Sequence, residues 1–239
     1  MDRKFLVVWL LVFALGCKQT PETKDKSAET PRQSTTVDSV VIQKKDKTVE
    51  LSDLNSLADT TFVRLADYSK DFFYDLRYAT ENNFLKAQVY ECAECYTRDK
   101  TAKALIAANR DFMDQGYRIL FFDCYRPNSV QYKMWEIVPN PQYVANPVKG
   151  SVHNRGGAVD ISLVNLEGVA LDMGTDFDYF GKRAYHDNLD LTETILQNRK
   201  ILKETMEIHG FESIRTEWWH YNYTAAYRDA VADFRWTCQ

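Results

Sequence analysis

Ser151-Val152-His153-Asn154-Arg155-Gly156-Gly157-Ala158-Val159-Asp160, read together with Glu217-Trp218-Trp219-His220, decides how this chain is built. The first stretch passes from a polar turn through a glycine pair into apolar β-formers that run to Val164. Two glycines let the backbone turn tightly, so the His153 ring can face Asp160 on the strand that follows. Asp160 sits among Ala158, Val159 and Ile161, where an unpaired carboxylate is expensive and a bound cation would compensate it. His153, His220 and Asp160 together form a hard-to-borderline donor set that suits one zinc ion. Glu217 is left over as a carboxylate able to handle a proton. Three protein ligands, an open fourth position and a spare carboxylate are the parts of a mononuclear hydrolytic centre.

Plainer readings stand beside this one. Asp160 could pair with Arg155, and a single histidine among aromatics is more often a satisfied core residue. The chain has only four histidines, so few other constellations can be assembled. His209 precedes Gly210 at the end of a helical pattern, where it complements the helix dipole. His186 could line a site but is not expected as a ligand. Glu217 and His220, three residues apart, would share a face on a helix but not on a regular strand. Their neighbours are strand formers, which puts Glu217 at the strand's entry or at a bulge. The two tryptophans between them would make a dry, rigid wall that strengthens electrostatics at a metal.

Outward from these motifs, short apolar stretches at 61–67 and 73–79 read as strands or extended segments. Thr97 to Gln115 carries Ala102, Leu105, Ile106, Phe112 and Met113 at helical spacing, with Gly116 as its natural stop. Tyr117 to Cys124 is a dense β-former run, expected as a buried strand. Pro127-Asn128 breaks it, and Asn128 can cap a helix to about Val138. Ala158 to Val164 is a strand that returns through Asn165–Gly168 as a hairpin. Thr192 to His209 is a second strong helix, and Phe211–Ile214 and Trp218–Tyr223 read as strands. Helices and hairpin-linked strands mix without a βαβ repeat. The expected class is therefore α+β, one domain with a largely antiparallel sheet flanked by helices.

A chain of 239 residues, 45% hydrophobic and 13% aromatic, can build one proper core with extensions. A net charge of −4 without a long basic run argues against nucleic acid as a partner. Residues 1–17 read as a leader: Arg3 and Lys4 precede eleven apolar residues, too few to span a bilayer as a helix. Ala14-Leu15-Gly16-Cys17 resembles a bacterial lipobox, with leucine one position later than usual, and would make Cys17 the lipidated first residue of the mature chain. Ordinary secretory cleavage near Gly16 is the alternative; either way the protein is expected to be exported to the cell envelope. Residues 18–51 are polar and charged and cannot offset their ordering entropy, so they read as a flexible tether before a folded domain at 52–239. Cys92, Cys95, Cys124 and Cys238 are expected to form structural disulfides, with three connectivities open.

Ser151-x-His153-x-x-Gly156-x-Ala158-x-Asp160 with Glu217-Trp218-Trp219-His220 resembles the D-alanyl-D-alanine dipeptidases, zinc D,D-peptidases that share a fold with the hedgehog signalling domain. The likeness extends to Asp123-Cys124-Tyr125-Arg126-Pro127, to Arg77-Tyr78-Ala79-Thr80 with Asn83-Phe84, and to Met173-Gly174-Thr175 followed by Phe177-Asp178. The resemblance implies that His153, Asp160 and His220 bind zinc and that Glu217 is the general base. It further implies that Arg126 stabilises the transition state, while Ser151, Asp178 and Tyr78 hold the substrate's amino end. The implied substrate is a small D-amino-acid dipeptide. No protein partner is expected beside it, and membrane contact only through the lipid anchor at Cys17. Two alternatives stand beside it. One is a D,D-carboxypeptidase or endopeptidase acting on peptidoglycan stems; the other is a non-catalytic cell-wall binding module with a retained zinc.

Overall fold

Alternation and turn chemistry lay out most of the sheet. The computed structural model describes Leu54 and residues 56–238. The leader, Cys17 and the tether lie outside the described residues. Seven strands follow in chain order: β1 Phe62–Arg64, β2 Phe73–Tyr74, β3 Tyr96–Arg98, β4 Tyr117–Asp123, β5 Ala158–Asn165, β6 Phe211–Ile214 and β7 Glu217–Tyr223. Among the described residues these helices join them: α1 Asp99–Asp114, α2 Asn128–Ile137 and α3 Glu193–Ile208. The main sheet has the order β2-β4-β5-β7-β6, antiparallel except for β2 against β4. β1 and β3 form a separate antiparallel ribbon. The architecture is the expected α+β.

In β5, Val159, Ile161 and Leu163 enter the core, while the alternate Asp160 lines a cleft and Ser162 an adjoining cavity. The helices α1 and α3 pack on the sheet and on each other, burying Leu105, Ile106 and Phe112 from one and Leu202 and Met206 from the other. Their ends follow local chemistry. Thr192 caps α3 by accepting from the Ile195 N–H at 3.4 Å, and Gly116 and Gly210, at φ +87° and +82°, take the left-handed turns after α1 and α3.

Four local expectations are corrected. Helix α1 starts at Asp99 rather than Thr97, because Thr97 and Arg98 pair with Val63 and Phe62. The apolar run at 73–79 is strand only at Phe73–Tyr74; Arg77–Ala79 is a 3-10 turn. Likewise Leu65–Asp67 is a 3-10 turn rather than strand. Finally, Asn128 is the first residue of α2 and makes no side-chain cap. The exposed donors of that end are instead taken by the C-terminal segment: Asn128 N–H donates to the Ala232 carbonyl at 3.1 Å, and Ser129 N–H to Asp233 Oδ1 at 2.7 Å.

The four cysteines form Cys92–Cys238 and Cys95–Cys124. The first ties the C-terminal segment down, and the second joins the turn before β3 to the end of β4.

Candidate metal centre and its cleft

The centre is a row across three strands. The register sets Asp123 of β4 opposite Asp160 of β5, and Asp160 opposite His220 of β7. Residues directly opposite on antiparallel strands point to the same side, so all three reach one face. His153 arrives from a 3-10 turn just before β5. That turn needs its glycines: at Gly156, φ +72°, a Cβ would lie 2.7 Å from Arg98 Cγ and from Phe62 Cε1, and at Gly157 it would collide with Ala226 Cβ.

His153 Nε2, His220 Nδ1 and Asp160 Oδ1 stand 3.2, 2.9 and 3.4 Å from one another. A tetrahedral ion with ligand distances of about 2.0–2.1 Å separates its ligand atoms by about 3.3 Å. The outer nitrogens fix the tautomers: His153 Nδ1 donates to the Cys124 carbonyl at 2.7 Å, and His220 Nε2 donates to Asn222 Oδ1 at 3.0 Å. Each ligating nitrogen is therefore left with a lone pair, facing the other and a carboxylate oxygen. Three acceptors so placed repel one another until a cation joins them, and the donor set fits zinc. Arg155 does not pair with Asp160; it donates to the Asp229 carbonyl.

Glu217 lies both at the strand's entry and at a bulge. Ser213 pairs with Tyr221, but the next residue, Ile214, pairs with Glu217. The irregularity puts the consecutive Trp219 and His220 on the same side, so that Glu217, Trp219, His220 and Asn222 all line the cleft. Trp218 turns away and donates to Thr175 Oγ1 at 2.7 Å. Burial pushes the Glu217 carboxyl above its usual range, with the Asp160 charge adding to the shift and His220, His153 and Arg126 opposing it.

Arg126 follows β4, lines the cleft and is buried. It donates to Asp123 Oδ2 at 2.6 and 3.1 Å and to Gln131 Oε1 at 2.9 Å, and its cation lies 5.3 Å over the Tyr78 ring. The Tyr78 hydroxyl donates to Asp178 at 3.1–3.2 Å. Asp178 adopts φ +60°, a conformation uncommon outside glycine. Burial, then the Asp160 charge, holds its carboxyl well above the usual range. Among the described residues it forms no ion pair. Ser151 lines the same cleft, but its hydroxyl is engaged with Asn154 Oδ1 at 3.0 Å.

The structure thus gathers His153, Asp160, His220, Glu217, Arg126, Tyr78, Asp178 and Ser151 around one cavity of about 330 Å³. His209 is remote, bonded to Asp111 at 2.7 Å. His186 is not in the lining of this cavity, and burial lowers its pKa to about 4. A larger cavity of about 410 Å³ lies under residues 170–177, but the metal triad is not in its lining. Sequence reasoning missed the supporting partners Asn222, Gln131 and Tyr90, whose hydroxyl donates to Asp123 Oδ1 at 2.7 Å, and gave Asp123 no role although it stands in the Asp-x-Tyr-Arg-Pro motif. A carboxylate at the end of a buried strand, three residues before an arginine, was the available signal.

The D-ala-D-ala dipeptidase family model matches residues 58–236. The D-alanyl-D-alanine dipeptidase of Escherichia coli is 33% identical over 166 residues, covering 69% of this chain and 86% of that protein. That of Enterococcus faecalis is 32% identical over 169 residues, covering 62% and 84%. A solved vancomycin resistance D,D-pentapeptidase in complex with Zn(II) aligns at 15% identity over 54% of this chain and 73% of its own, with a TM-score of 0.37. With the family model spanning residues 58–236, all seven strands described above and each residue of the triad, the chain belongs to the D-ala-D-ala dipeptidase family.

Proposed function

We propose that the protein is a zinc peptidase that hydrolyses free D-alanyl-D-alanine to two D-alanines in the bacterial cell envelope. One observation carries the choice of a dipeptide. Asp178 is a carboxylate with no cationic partner, set into the cleft that holds the metal triad. Burial holds that carboxyl towards its neutral form, and a substrate ammonium would supply the cation that lets it ionise. His153, Asp160 and His220 hold the zinc. When bound, the ion supplies Lewis acidity and brings the pKa of water into the neutral range.

Glu217 takes the proton from the attacking water and delivers it to the leaving amine; its raised pKa suits a group that must both accept and release. Arg126, pinned by Asp123 and Gln131, presents positive charge where the oxyanion develops. Tyr78 and Asp178 fix the amino end, and Ser151 adds a hydroxyl on the cleft wall. Two disulfides support the reading of residues 1–17 as an export leader, with Cys17 as lipid anchor and 18–51 as tether, since such bonds persist in oxidising compartments.

The test is release of D-alanine from the free dipeptide, with and without chelator, beside the N-acetylated dipeptide. Cleavage of the free form alone, abolished by chelator, is expected. Equal cleavage of the acetylated form would make the protein a carboxypeptidase instead.

A further inference from the structure

The cleft does not end at the metal. A second chamber of about 350 Å³ adjoins it, and Gln142, Tyr143, Phe180 and Glu217 line both. Tyr143 and Phe180 come from different loops and meet ring to ring, with centroids 4.6 Å apart. Phe180 also meets Phe84 edge-on at 5.0 Å, and Phe84 meets Tyr78 at 6.3 Å. The row of rings therefore starts at the Tyr78–Asp178 pair and runs out across the cleft. The Phe84 backbone also favours the charged form of Asp178. The carboxylate proposed to hold the ammonium is thus framed by the same two segments, 78–84 and 178–180, that carry the aromatic row.

We propose that the Phe180–Tyr143 pair is a size-limiting partition. It closes the cleft beyond the substrate's amino end and keeps the second chamber, walled further by Tyr185 and Thr216, out of reach. That chamber is the place an additional N-terminal residue would occupy. Joined, the two cavities would roughly double the available space, well inside the range for ligands larger than a dipeptide. The pair is 38% and 43% exposed, so it belongs to the cleft's rim rather than to the core. This inference rests on the dipeptidase reading and names what enforces it.

The test compares D-Ala-D-Ala with the tripeptide D-Ala-D-Ala-D-Ala on the zinc-loaded full chain, in the parent, Phe180→Ala, Tyr143→Ala and the conservative Phe180→Tyr. The readouts are the ratio of kcat/KM values and, in a Glu217→Gln background, calorimetric affinity for each peptide. Phe180→Ala and Tyr143→Ala should each shrink the preference for the dipeptide about tenfold or more, mainly through the tripeptide's KM, and Phe180→Tyr should preserve it. Folded, zinc-loaded alanine variants with an unchanged preference would overturn the partition, as would equal weakening of both peptides. Because the two alanine changes sit on opposite loops, misfolding of one leaves the other to decide. A parent that neither binds nor cleaves either peptide would instead sink the dipeptidase reading, and the partition with it.

Discussion

Removing Arg126 should produce two effects that a paired substitution can separate. Its guanidinium makes three hydrogen bonds, two of them to Asp123, which is 1% exposed. Without the arginine, Asp123 keeps the Tyr90 hydroxyl at 2.7 Å but loses its cation. Stranding a buried charge in this way costs about 3–5 kcal/mol of stability. Removing a positive group aimed at the developing oxyanion costs about 10²–10³-fold in kcat. Arg126→Met alone would show both losses and apportion neither. Arg126→Met combined with Asp123→Asn removes the stranded charge while leaving a group that accepts from Tyr90. The double variant should regain most of the lost stability in urea denaturation while its turnover of D-Ala-D-Ala stays about 10²–10³-fold down, with zinc content unchanged. If turnover recovers to within about tenfold of the parent, Arg126 merely holds the end of β4 in place and the oxyanion role is wrong.

Other consequences can be checked as directly. Glu217→Gln should lose about 10²–10⁴-fold in kcat with one zinc still bound by metal analysis; a small loss would favour a binding module. Asn222→Ala removes the acceptor that orients His220, and zinc affinity measured by chelator competition should fall about 10–100-fold. The His186 pKa drops from 6.5 to about 4 on burial. Both states are neutral above pH 6.5, and below it the unfolded chain binds a proton that the folded one refuses. Stability should therefore be lost progressively from pH 6.5 to 4, by about 3 kcal/mol from this residue, and His186→Phe should flatten that part of the denaturation profile relative to the parent. Replacing Cys95 and Cys124 by alanine opens a link across 29 residues and should cost about 3–4 kcal/mol by the chain-entropy account, read as a shift in the urea midpoint.

The elements legible in the sequence were those whose own residues determine them. Helices α1 and α3 carry an apolar stripe and end on glycine, and β4 and β5 are continuous β-formers, so periodicity sufficed. Elements shaped by distant partners were not legible. The turn bearing Tyr78 is fixed partly by a hydroxyl that reaches Asp178, a hundred positions along the chain. The start of α2 is capped by Asp233, from a segment with no local mark of that role. In the site itself, the metal triad could be read because an aspartate inside an apolar strand demands compensation and histidines were scarce. The Glu217–His220 spacing looked wrong for a strand, and the bulge that reconciles it appears only once β6 and β7 are paired. Tyr143 and Phe180 gave no signal at all, since each is an exposed aromatic in an irregular passage.

The site has two halves with different origins. The metal half is written into sheet register: Asp123, Asp160 and His220 share a face because β4, β5 and β7 are aligned, and a one-residue slip would turn each aside. Behind it stands a covalent support, since the Cys124 carbonyl that fixes the His153 tautomer belongs to a residue tied to Cys95. The half proposed to take the substrate is carried outside the main sheet. Tyr78, Asp178, Phe180 and Tyr143 all lie in turns or irregular segments, where backbone is free to vary without moving a ligand. On the proposed function, substitutions in those segments would change which peptide enters, while the triad and Glu217 stay where the sheet puts them.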